Sequence, residues 1–393
     1  MKQVKCFGMI KSVLAIVAAV FFMMQPLLVV QAAEPTLHSS SVVLMEETTG
    51  QIIYELNGDE RKSPASITKI MTMILVFEAI EGGKISMEDE VVTSAHAKSM
   101  GGSQVFLEEG EIQTVETLLK CVAVASGNDA SVALAEYVAG TEEAFVERMN
   151  EKAQELGMEN SHFVDCCGLT DSPDHYTTAK DIAIMSRYLI GHYPQVYDFT
   201  MIWMEDIVHS TNRGDSVFTL SSTNKLLKQY PYTTGLKTGY TGSAKYCVSA
   251  TAKKDDISLI AVVMAADSSD LRNQDAITLF NYGFSVSRLY RDTRSLGCET
   301  LPVKGGLEEE IPVACKEPFT YLDVTGMDFT NVERKILVQE EIEAPVEAGQ
   351  AVGKIVYTCD GKELGSVPIV ALANVEKAGL WDYYGKLFIK YLL

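Results

Sequence analysis

The stretch Pro64-Ala65-Ser66-Ile67-Thr68-Lys69 leads directly into residues 70–80, an apolar run that contains a single Thr and a single Glu. A run of this composition predicts a helix that is buried on all sides rather than an amphipathic helix at a surface. Ser66 and Lys69 lie three residues apart at its start, one turn apart on the same face. Partial burial of the lysine lowers its pKa toward a free amine that can take the serine proton. The stretch therefore predicts an activated hydroxyl at the mouth of a core helix.

The patterns around this helix predict a domain of mixed α and β structure. Apolar alternation and helical periodicity indicate an early hairpin, two helical regions, a group of strands with a hairpin turn at residues 253–256, and a final helix; these lie at residues 41–54, 114–138, 142–156, 233–266 and 270–290. Gly157 closes the second helical region.

From about residue 300 the pattern changes to short β-like segments. Pro, Gly and acidic residues separate them, and Asp360-Gly361 is a typical hairpin turn. The segments lie near residues 309–314, 319–324, 335–343, 351–358 and 366–372. They predict a small all-β domain without a catalytic constellation of its own.

Composition excludes several classes of protein. The 393 residues are 47% hydrophobic and 22% charged, an ordinary globular composition that excludes disorder, collagen-like repeats and a multi-span membrane protein. The 53 acidic residues outnumber the 33 basic ones, which gives a net charge of −20. Because so acidic a surface repels phosphate groups, nucleic acid is excluded as a partner.

The N-terminus has the pattern of a secretion signal. Lys2, Lys5 and Lys11 form a positively charged region before an unbroken apolar core at residues 13–24, and Val30-Gln31-Ala32 offers small residues at a cleavage site. The sequence predicts a signal peptide at residues 1–32, with an uncleaved anchor as the alternative. Either outcome places the protein outside the cytoplasmic membrane.

The last residues have an amphipathic pattern. On a helix over 374–393, Asp382, Lys386 and Lys390 form one narrow stripe. Apolar and aromatic side chains cover the remainder: Leu380, Trp381, Tyr384, Leu387, Phe388, Tyr391 and Leu392. This pattern predicts a helix that lies on the outer face of the cytoplasmic membrane. The alternative is a terminal helix docked on its own domain.

The cysteines do not indicate a disulfide framework or a metal site. Seven of the eight remain after loss of the signal, none forms a CxxC pair, and the histidines form no HExxH. Cys166-Cys167 is interpreted as two small apolar fillers in a loop, although a metal or redox feature is an alternative. We predict no metal and no cofactor.

Three short motifs carry the chemistry, and none of them is a GxSxG nucleophile elbow. SxxK occurs at Ser66 and at Ser222-Thr223-Asn224-Lys225, and SxN occurs at residues 126–128, 210–212 and 222–224. KTG occurs once, at residues 237–239. Only Ser66 opens a buried helix, and only Ser126 lies between helical segments. The glycine of KTG permits close approach of a substrate backbone.

The ordered set SITK, SGN and KTG resembles the active-site serine penicillin-recognising enzymes. The signal, the trailing β-domain and the amphipathic tail narrow the resemblance to the low-molecular-mass D-Ala-D-Ala carboxypeptidases of bacterial cell walls. The resemblance implies an α+β fold of the β-lactamase/transpeptidase type, with an antiparallel sheet flanked by helices and a helical subdomain. This catalytic domain would span residues 37–298, followed by a β-rich domain at 299–372.

The resemblance implies a role for each residue of the first two motifs. Ser66 is the acylated nucleophile and Lys69 is its general base. Ser126 relays protons to the leaving D-Ala, and Asn128 holds the substrate amide.

For the third motif the resemblance implies recognition of the substrate carboxylate. Lys237 supplies positive charge, Thr238 donates a hydrogen bond to the carboxylate, and Gly239 allows the substrate to approach. The oxyanion hole is formed by the backbone N–H groups of the nucleophile and of Tyr240. Arg272 matches an arginine that helps to bind the carboxylate, with an ordinary surface arginine as the alternative.

The expected function is a serine D-Ala-D-Ala carboxypeptidase that removes the terminal D-Ala from peptidoglycan pentapeptides and is acylated by β-lactams at Ser66. The expected partners are the stem peptide, β-lactam inhibitors and the membrane surface. A D,D-endopeptidase that cleaves cross-links and a catalytically weak β-lactam-binding or β-lactam-sensing protein are the alternatives. A class A β-lactamase fits less well, because Glu205 and Asp206 lack the Glu-x-x-Leu-Asn context of its deacylating glutamate.

Overall fold

The computed structural model describes residues 33–211, 214–297 and 299–385. Up to residue 291 its strands are Ser41–Glu46 (β1), Ile52–Leu56 (β2), Glu90–Val92 (β3), Ile112–Thr114 (β4), Met204–Thr211 (β5), Gly214–Ser221 (β6), Thr233–Thr241 (β7), Lys245–Lys254 (β8), Ile257–Ala266 (β9) and Arg288–Arg291 (β10). Its helices are Lys69–Glu81 (α1), Ala95–Ser99 (α2), Val115–Val124 (α3), Asn128–Ala139 (α4), Glu142–Glu155 (α5), Ala179–His192 (α6), Tyr197–Thr200 (α7), Leu226–Gln229 (α8) and Ser269–Val286 (α9).

A five-stranded antiparallel sheet organises this part of the chain, in the order β2-β1-β9-β8-β7. β1 is buried along its whole length. Because successive side chains of a strand point to opposite faces, Val42 and Leu44 pack with α9, whereas Val43 and Met45 join the core of the helical cluster. The sheet therefore has helices on both faces, and β7 forms one of its edges.

Helix α1 lies in the middle of the helical cluster, as its apolar composition predicts. Ten of its residues are buried, Lys69 among them, and it contacts α3, α4, α5 and α6. The helical region predicted over 114–138 is divided into α3 and α4 by Ala125, Ser126 and Gly127. Ser126 has a positive φ of 62°, which a continuous helix does not allow. Because of this interruption, the first turn of α4 faces α1.

The predicted final helix is shorter at its C-terminal end than the pattern indicated. It ends at Val286, and Tyr290 lies in β10, where it pairs with Tyr321. The prediction to residue 290 was wrong because strand pairing with a distant segment overrides the local helical pattern.

The second part of the chain is the predicted all-β domain. Its strands are Thr300–Lys304 (β11), Glu310–Cys315 (β12), Thr320–Asp323 (β13), Val332–Val338 (β14), Ile342–Glu343 (β15), Ala351–Cys359 (β16) and Lys362–Ala371 (β17). Six of them form one sheet in the order β14-β16-β17-β12-β11-β15, and β13 pairs with β10. The hairpin turn between β16 and β17 is Asp360-Gly361, as predicted, with φ values of 47° and 82°. β11 was not among the predicted segments.

The described part of the tail begins as an extended segment. Val375 and Lys377 form β-bridges to Val346 and Gly306, and helical structure is described only at residues 380–385. The predicted helix over 374–393 therefore starts six residues later than expected. Within the ranges given above, no helix is long and apolar enough to cross a bilayer. The predicted signal at 1–32, Cys298 and the tail from Lys386 onward lie outside the described residues.

The fold class predicted from the sequence, an α+β domain followed by a small all-β domain, is confirmed. In the described ranges the thiols of Cys121, Cys166, Cys167, Cys247 and Cys359 are free, and Cys166 and Cys167 are both buried.

Candidate active site

Ser66 lies in a tight 3-10 turn, Ala65–Thr68, that immediately precedes α1. The sequence predicted that Ser66 opens the helix itself; instead the helix begins at Lys69. Ala65 has a positive φ of 48°, an uncommon conformation for a residue with a side chain. Its carbonyl oxygen accepts a hydrogen bond from Thr68 Oγ1 at 2.8 Å. The turn directs the Ser66 hydroxyl back toward the first residue of α1.

A buried histidine supports this turn from behind. His175 Nδ1 accepts a hydrogen bond from the backbone N–H of Val164 at 3.1 Å. The ring proton therefore belongs to Nε2, which lies 2.8 Å from Thr68 Oγ1 and donates to it. Burial lowers the pKa of His175, which favours this neutral form.

The amine of Lys69 is the centre of the site. Its Nζ donates to Ser66 Oγ at 2.9 Å, to Asn128 Oδ1 at 2.6 Å and to the carbonyl oxygen of Cys167 at 2.8 Å. The side chain is completely buried. Three acceptors from three segments thus fix one amine beside the serine hydroxyl.

Burial lowers the pKa of Lys69 from its ordinary value, because an ammonium ion loses its hydration there. Neighbouring groups act in the opposite direction, the carboxylates of Asp165 and Asp129 among them. The lowered pKa increases the fraction of free amine near neutral pH, the form that accepts a proton.

A second serine–lysine pair faces the first. Lys237 Nζ donates to Ser126 Oγ at 2.9 Å and to the carbonyl oxygen of Thr238 at 3.0 Å, and this lysine is also buried. Burial first, and then the charges of Lys69 and Arg272, hold the pKa of Lys237 well below its usual value. The two lysines therefore lower each other's affinity for protons.

Strand β7 lies directly against the serine turn. A Cβ atom built on Gly239 would come within 2.9 Å of the Pro64 carbonyl oxygen and 3.1 Å of the Ser66 nitrogen. Only glycine permits so close an approach of the two backbones. It brings the backbone of the KTG strand against the nitrogen of Ser66.

The remaining predicted residues surround this centre. Thr238 Oγ1 lies 2.7 Å from Thr223 Oγ1. Arg272 is only 4% exposed, so the alternative of a surface arginine is wrong; its guanidinium donates to Asn273 Oδ1 and to the Cys247 carbonyl. Burial lowers the pKa of Arg272 to about 10, so the guanidinium keeps its charge at neutral pH. The ring of Tyr240 is 58% exposed and packs on Tyr246, with ring centroids 4.4 Å apart.

Three contributors to the site were not predicted from the sequence. They are the Cys167 carbonyl, the hydroxyl of Thr223 and Gly168, whose backbone packs against Ala65. The spacing of Asp165 and Gly168 is typical of a turn and could have indicated an ordered loop. No sequence signal connects that loop, or Thr223, with Lys69.

The arrangement can perform acyl transfer. The hydroxyl of Ser66 lies beside an amine with a lowered pKa, and a second hydroxyl lies beside a second buried lysine. The contact at Gly239 brings the KTG strand against the backbone nitrogen of Ser66. An antiparallel sheet whose edge strand carries KTG, packed against a SxxK turn and a helical SxN segment, defines the class of penicillin-recognising serine hydrolases.

Comparison with known proteins gives the same class. A family model described as D-alanyl-D-alanine carboxypeptidase matches residues 28–268, and one described as the C-terminal domain of penicillin-binding protein 5 matches residues 284–377. The D-alanyl-D-alanine carboxypeptidase DacF of Bacillus subtilis is 43% identical over 344 residues, 87% of each chain. DacC of Escherichia coli, of the same description, is 32% identical over 377 residues, 90% of each chain.

A solved structure agrees with these relatives. Penicillin binding protein 5 from Haemophilus influenzae superimposes with a TM-score of 0.73 at 30% identity, covering 88% of this chain and all of the other. The chain belongs to the D-alanyl-D-alanine carboxypeptidase family of serine-type hydrolases.

Proposed function

We propose that this chain removes the terminal D-Ala from peptidoglycan pentapeptides through an acyl-enzyme formed on Ser66. The observation that carries the proposal is the 2.9 Å hydrogen bond between Lys69 Nζ and Ser66 Oγ, made by a buried amine whose pKa is lowered. A hydroxyl in this setting becomes a nucleophile without a histidine. No metal or cofactor takes part in the proposed reaction.

In the first half-reaction the Ser66 oxygen attacks the carbonyl carbon between the two D-Ala residues, and its proton passes to Lys69 Nζ. The N–H groups of Ser66 and Tyr240 stabilise the negative charge that develops on the carbonyl oxygen. As the carbon–nitrogen bond breaks, Ser126 delivers its proton to the nitrogen of the departing D-Ala and takes up the proton held by Lys69, which becomes a free amine again. An ester on Ser66 and free D-Ala result.

In the second half-reaction water attacks the ester carbonyl. It transfers a proton to the amine of Lys69, the carbon–oxygen bond of the ester breaks, and the proton returns to Ser66. A β-lactam has a similarly placed carboxylate beside a strained amide, so its ring opens onto Ser66 in the same first step. Because the ring nitrogen stays attached, the product does not leave, and the adduct persists.

Recognition of the substrate carboxylate is assigned to Lys237, Thr238 and Arg272. The pocket is cationic in a chain whose net charge is −20, so it offers an anion a local attraction that the remaining surface does not. Asn128 is assigned to the substrate amide; its own amide donates to the Gly101 carbonyl at 2.7 Å, which fixes its orientation. The free carboxylate at the end of the peptide is therefore the feature by which the site selects its substrate.

The proposal predicts that the purified enzyme releases one D-Ala from a pentapeptide ending in D-Ala-D-Ala. The free carboxylate of the substrate binds the cationic pocket, so amidation of the terminal carboxylate should reduce kcat/KM by roughly 100-fold, the effect of about 3 kcal/mol for a lost charged hydrogen bond. Coupled oxidation of the released D-Ala measures the rate. A cross-linked dimer is the comparison substrate: cleavage of the dimer alone would replace the carboxypeptidase assignment by the endopeptidase alternative.

We propose further that the protein acts outside the cytoplasmic membrane, with residues 1–32 as an export signal, the catalytic domain at 37–298 and the β-domain at 299–372. The end of the chain is assigned to the membrane surface. Three of its described side chains, Leu380, Trp381 and Tyr384, are 71%, 83% and 61% exposed. Apolar and aromatic groups left in water at a chain end are suited to a membrane interface.

Removal of residues 379–393 is expected to move the protein from the membrane fraction to the soluble fraction, with D-Ala release from a soluble pentapeptide unchanged. The truncation should begin at Gly379 rather than earlier, because Val375 and Lys377 pair with the β-domain. Fractionation after osmotic lysis measures the change. Trp381→Ser with Tyr384→Ser should weaken attachment in the full-length chain. Tyr383→Phe, whose ring is kept, is the matched control. Unchanged fractionation of the truncated chain would favour a helix docked on its own domain.

A further inference from the structure

Among the residues that the structure describes, the loop at residues 165–170 supplies the one acceptor of Lys69 that lies outside the recognised motifs. Ser66 and Asn128 belong to SxxK and SxN, but the third acceptor is the backbone carbonyl of Cys167, 98 residues from Lys69 along the chain. Since a carbonyl at 2.8 Å fixes the direction of the amine, whatever orders this loop also orders Lys69.

Asp165 organises the loop through its carboxylate. Its Oδ1 accepts hydrogen bonds from the N–H groups of Cys167, at 2.9 Å, and of Gly168, and its Oδ2 accepts from the N–H of Thr170 at 2.9 Å. A single side chain therefore satisfies three backbone donors and bends the chain so that the Cys167 carbonyl turns toward Lys69.

The carboxylate stays ionised in this position. Burial alone would raise the pKa of Asp165, but the hydrogen bonds from the N–H groups of Thr170, Gly168 and Cys167 favour the ionised form, and the pKa is lowered. An anion is thus held close enough to Lys69 to favour the ammonium form, against the effect of burial.

We infer that Asp165 is a positioning residue for the catalytic lysine. It fixes the carbonyl group that holds the Lys69 amine, and its negative charge helps to determine the pH at which this amine loses its proton. The inference rests on the proposed function, since it assumes that Lys69 is the base. Asp165 touches neither Ser66 nor substrate in the proposed reaction and acts through the loop and its field.

The other charged and titratable groups around Lys69 are Asp129 from α4, the thiols of Cys166 and Cys167, and Lys237 from β7. Burial raises the pKa of the Cys166 thiol well above its usual value, so this thiol is neutral. Asp129 is already engaged by backbone N–H groups of Val105 and Leu107. Asp165 is therefore the carboxylate whose removal changes both the loop and the field.

The test is acylation by benzylpenicillin followed over a range of pH. Asp165→Asn keeps an acceptor for Cys167 and Gly168 but loses the acceptor for Thr170 and the negative charge. The plateau of the second-order acylation rate is expected to fall about tenfold, the scale on which supporting side chains act on a site. The acid limb of the pH profile should move to lower pH, because loss of a nearby anion disfavours the ammonium form of Lys69.

The matched control is Asp174→Asn, which removes one charge from an exposed position nine residues further on. It should leave the plateau and the limb at the wild-type values. Asp165→Glu keeps the negative charge but moves the carboxylate, because its side chain is one methylene longer. The acid limb of its pH profile should stay near that of the wild type, while the plateau of its acylation rate falls. If the limb of Asp165→Asn does not move, or moves equally in Asp174→Asn, the inference is wrong.

Two further outcomes are decisive. If Asp165→Asn has no cooperative melting transition and is therefore unfolded, Asp165→Glu provides the test. A shift in the acid limb of the pH profile of Asp165→Glu would then contradict the inference. Release of D-Ala by the wild-type enzyme is measured in parallel. Failure of that release with normal acylation would overturn the proposed function and leave the role of Asp165 standing.

Discussion

Replacement of Ser66 by Ala is expected to abolish covalent labelling by a fluorescent penicillin and to eliminate D-Ala release. The hydroxyl is the only group of the site that forms a bond to substrate in the proposed reaction, and loss of a catalytic nucleophile lowers kcat by up to about a million-fold. Lys69 would still be held by Asn128 and Cys167, so the variant should fold. Mass spectrometry of the benzylpenicillin adduct identifies the labelled residue in the wild type.

Ser222→Ala is the matched control for this experiment. Ser222 begins the second SxxK sequence of the chain, and its hydroxyl accepts a hydrogen bond from the Asn224 N–H at 3.2 Å, a contact local to its own loop. Labelling of this variant should equal that of the wild type. Persistent labelling of Ser66→Ala, or loss of labelling only in Ser222→Ala, would contradict the assignment of Ser66 as the nucleophile.

Replacement of Gly168 by Ala is expected to reduce acylation at least 100-fold although no functional group is removed. Gly168 has a φ of 73°, and a Cβ atom there would overlap the carbonyl oxygen of Ala65, the residue before the nucleophile. The positive φ costs about 1–2 kcal/mol for alanine. The overlap displaces either the loop or the serine turn, and a shift of about 1 Å costs roughly 100-fold in rate. Penicillin acylation kinetics and the melting temperature measure both effects.

Gly191→Ala provides the comparison. Gly191 lies in α6, and a Cβ atom added there would have no neighbouring atom within 4 Å, so alanine should stabilise the helix by about 0.5–1 kcal/mol and leave acylation unchanged. Acylation by Gly168→Ala at the wild-type rate would contradict the close packing of the loop against the serine turn.

Much of the fold could be predicted because it depends on local patterns. The apolar run after Lys69 indicated a fully buried helix, and Asp360-Gly361 indicated a hairpin turn. The errors occur where distant partners override the local pattern, as at Tyr290, which pairs with Tyr321 instead of continuing a helix. The strand Thr300–Lys304 was not predicted either; it pairs with β12 and with the more distant β15.

The candidate site divides in the same way. The sequence by itself determined the side chains: a serine and a lysine one turn apart, and the single KTG of the chain. Their types and spacings are visible in one dimension because they lie within a few residues of each other. The chemistry of each motif, and the family that the three motifs indicate together, followed from that order.

Only the tertiary structure decided what surrounds the two lysines. Ser126 meets Lys237 across 111 residues of sequence, and the Cys167 carbonyl meets Lys69 across 98. The sequence predicted partial burial of Lys69, whereas the complete burial of both amines, which lowers their pKa values, arises from this assembly. A backbone carbonyl is present at every residue, so its use in a site leaves no mark on the sequence. Cys167 and Gly168 act through their backbone, and Asp165 acts through the loop that its carboxylate organises; this geometry exists only after the chain has folded.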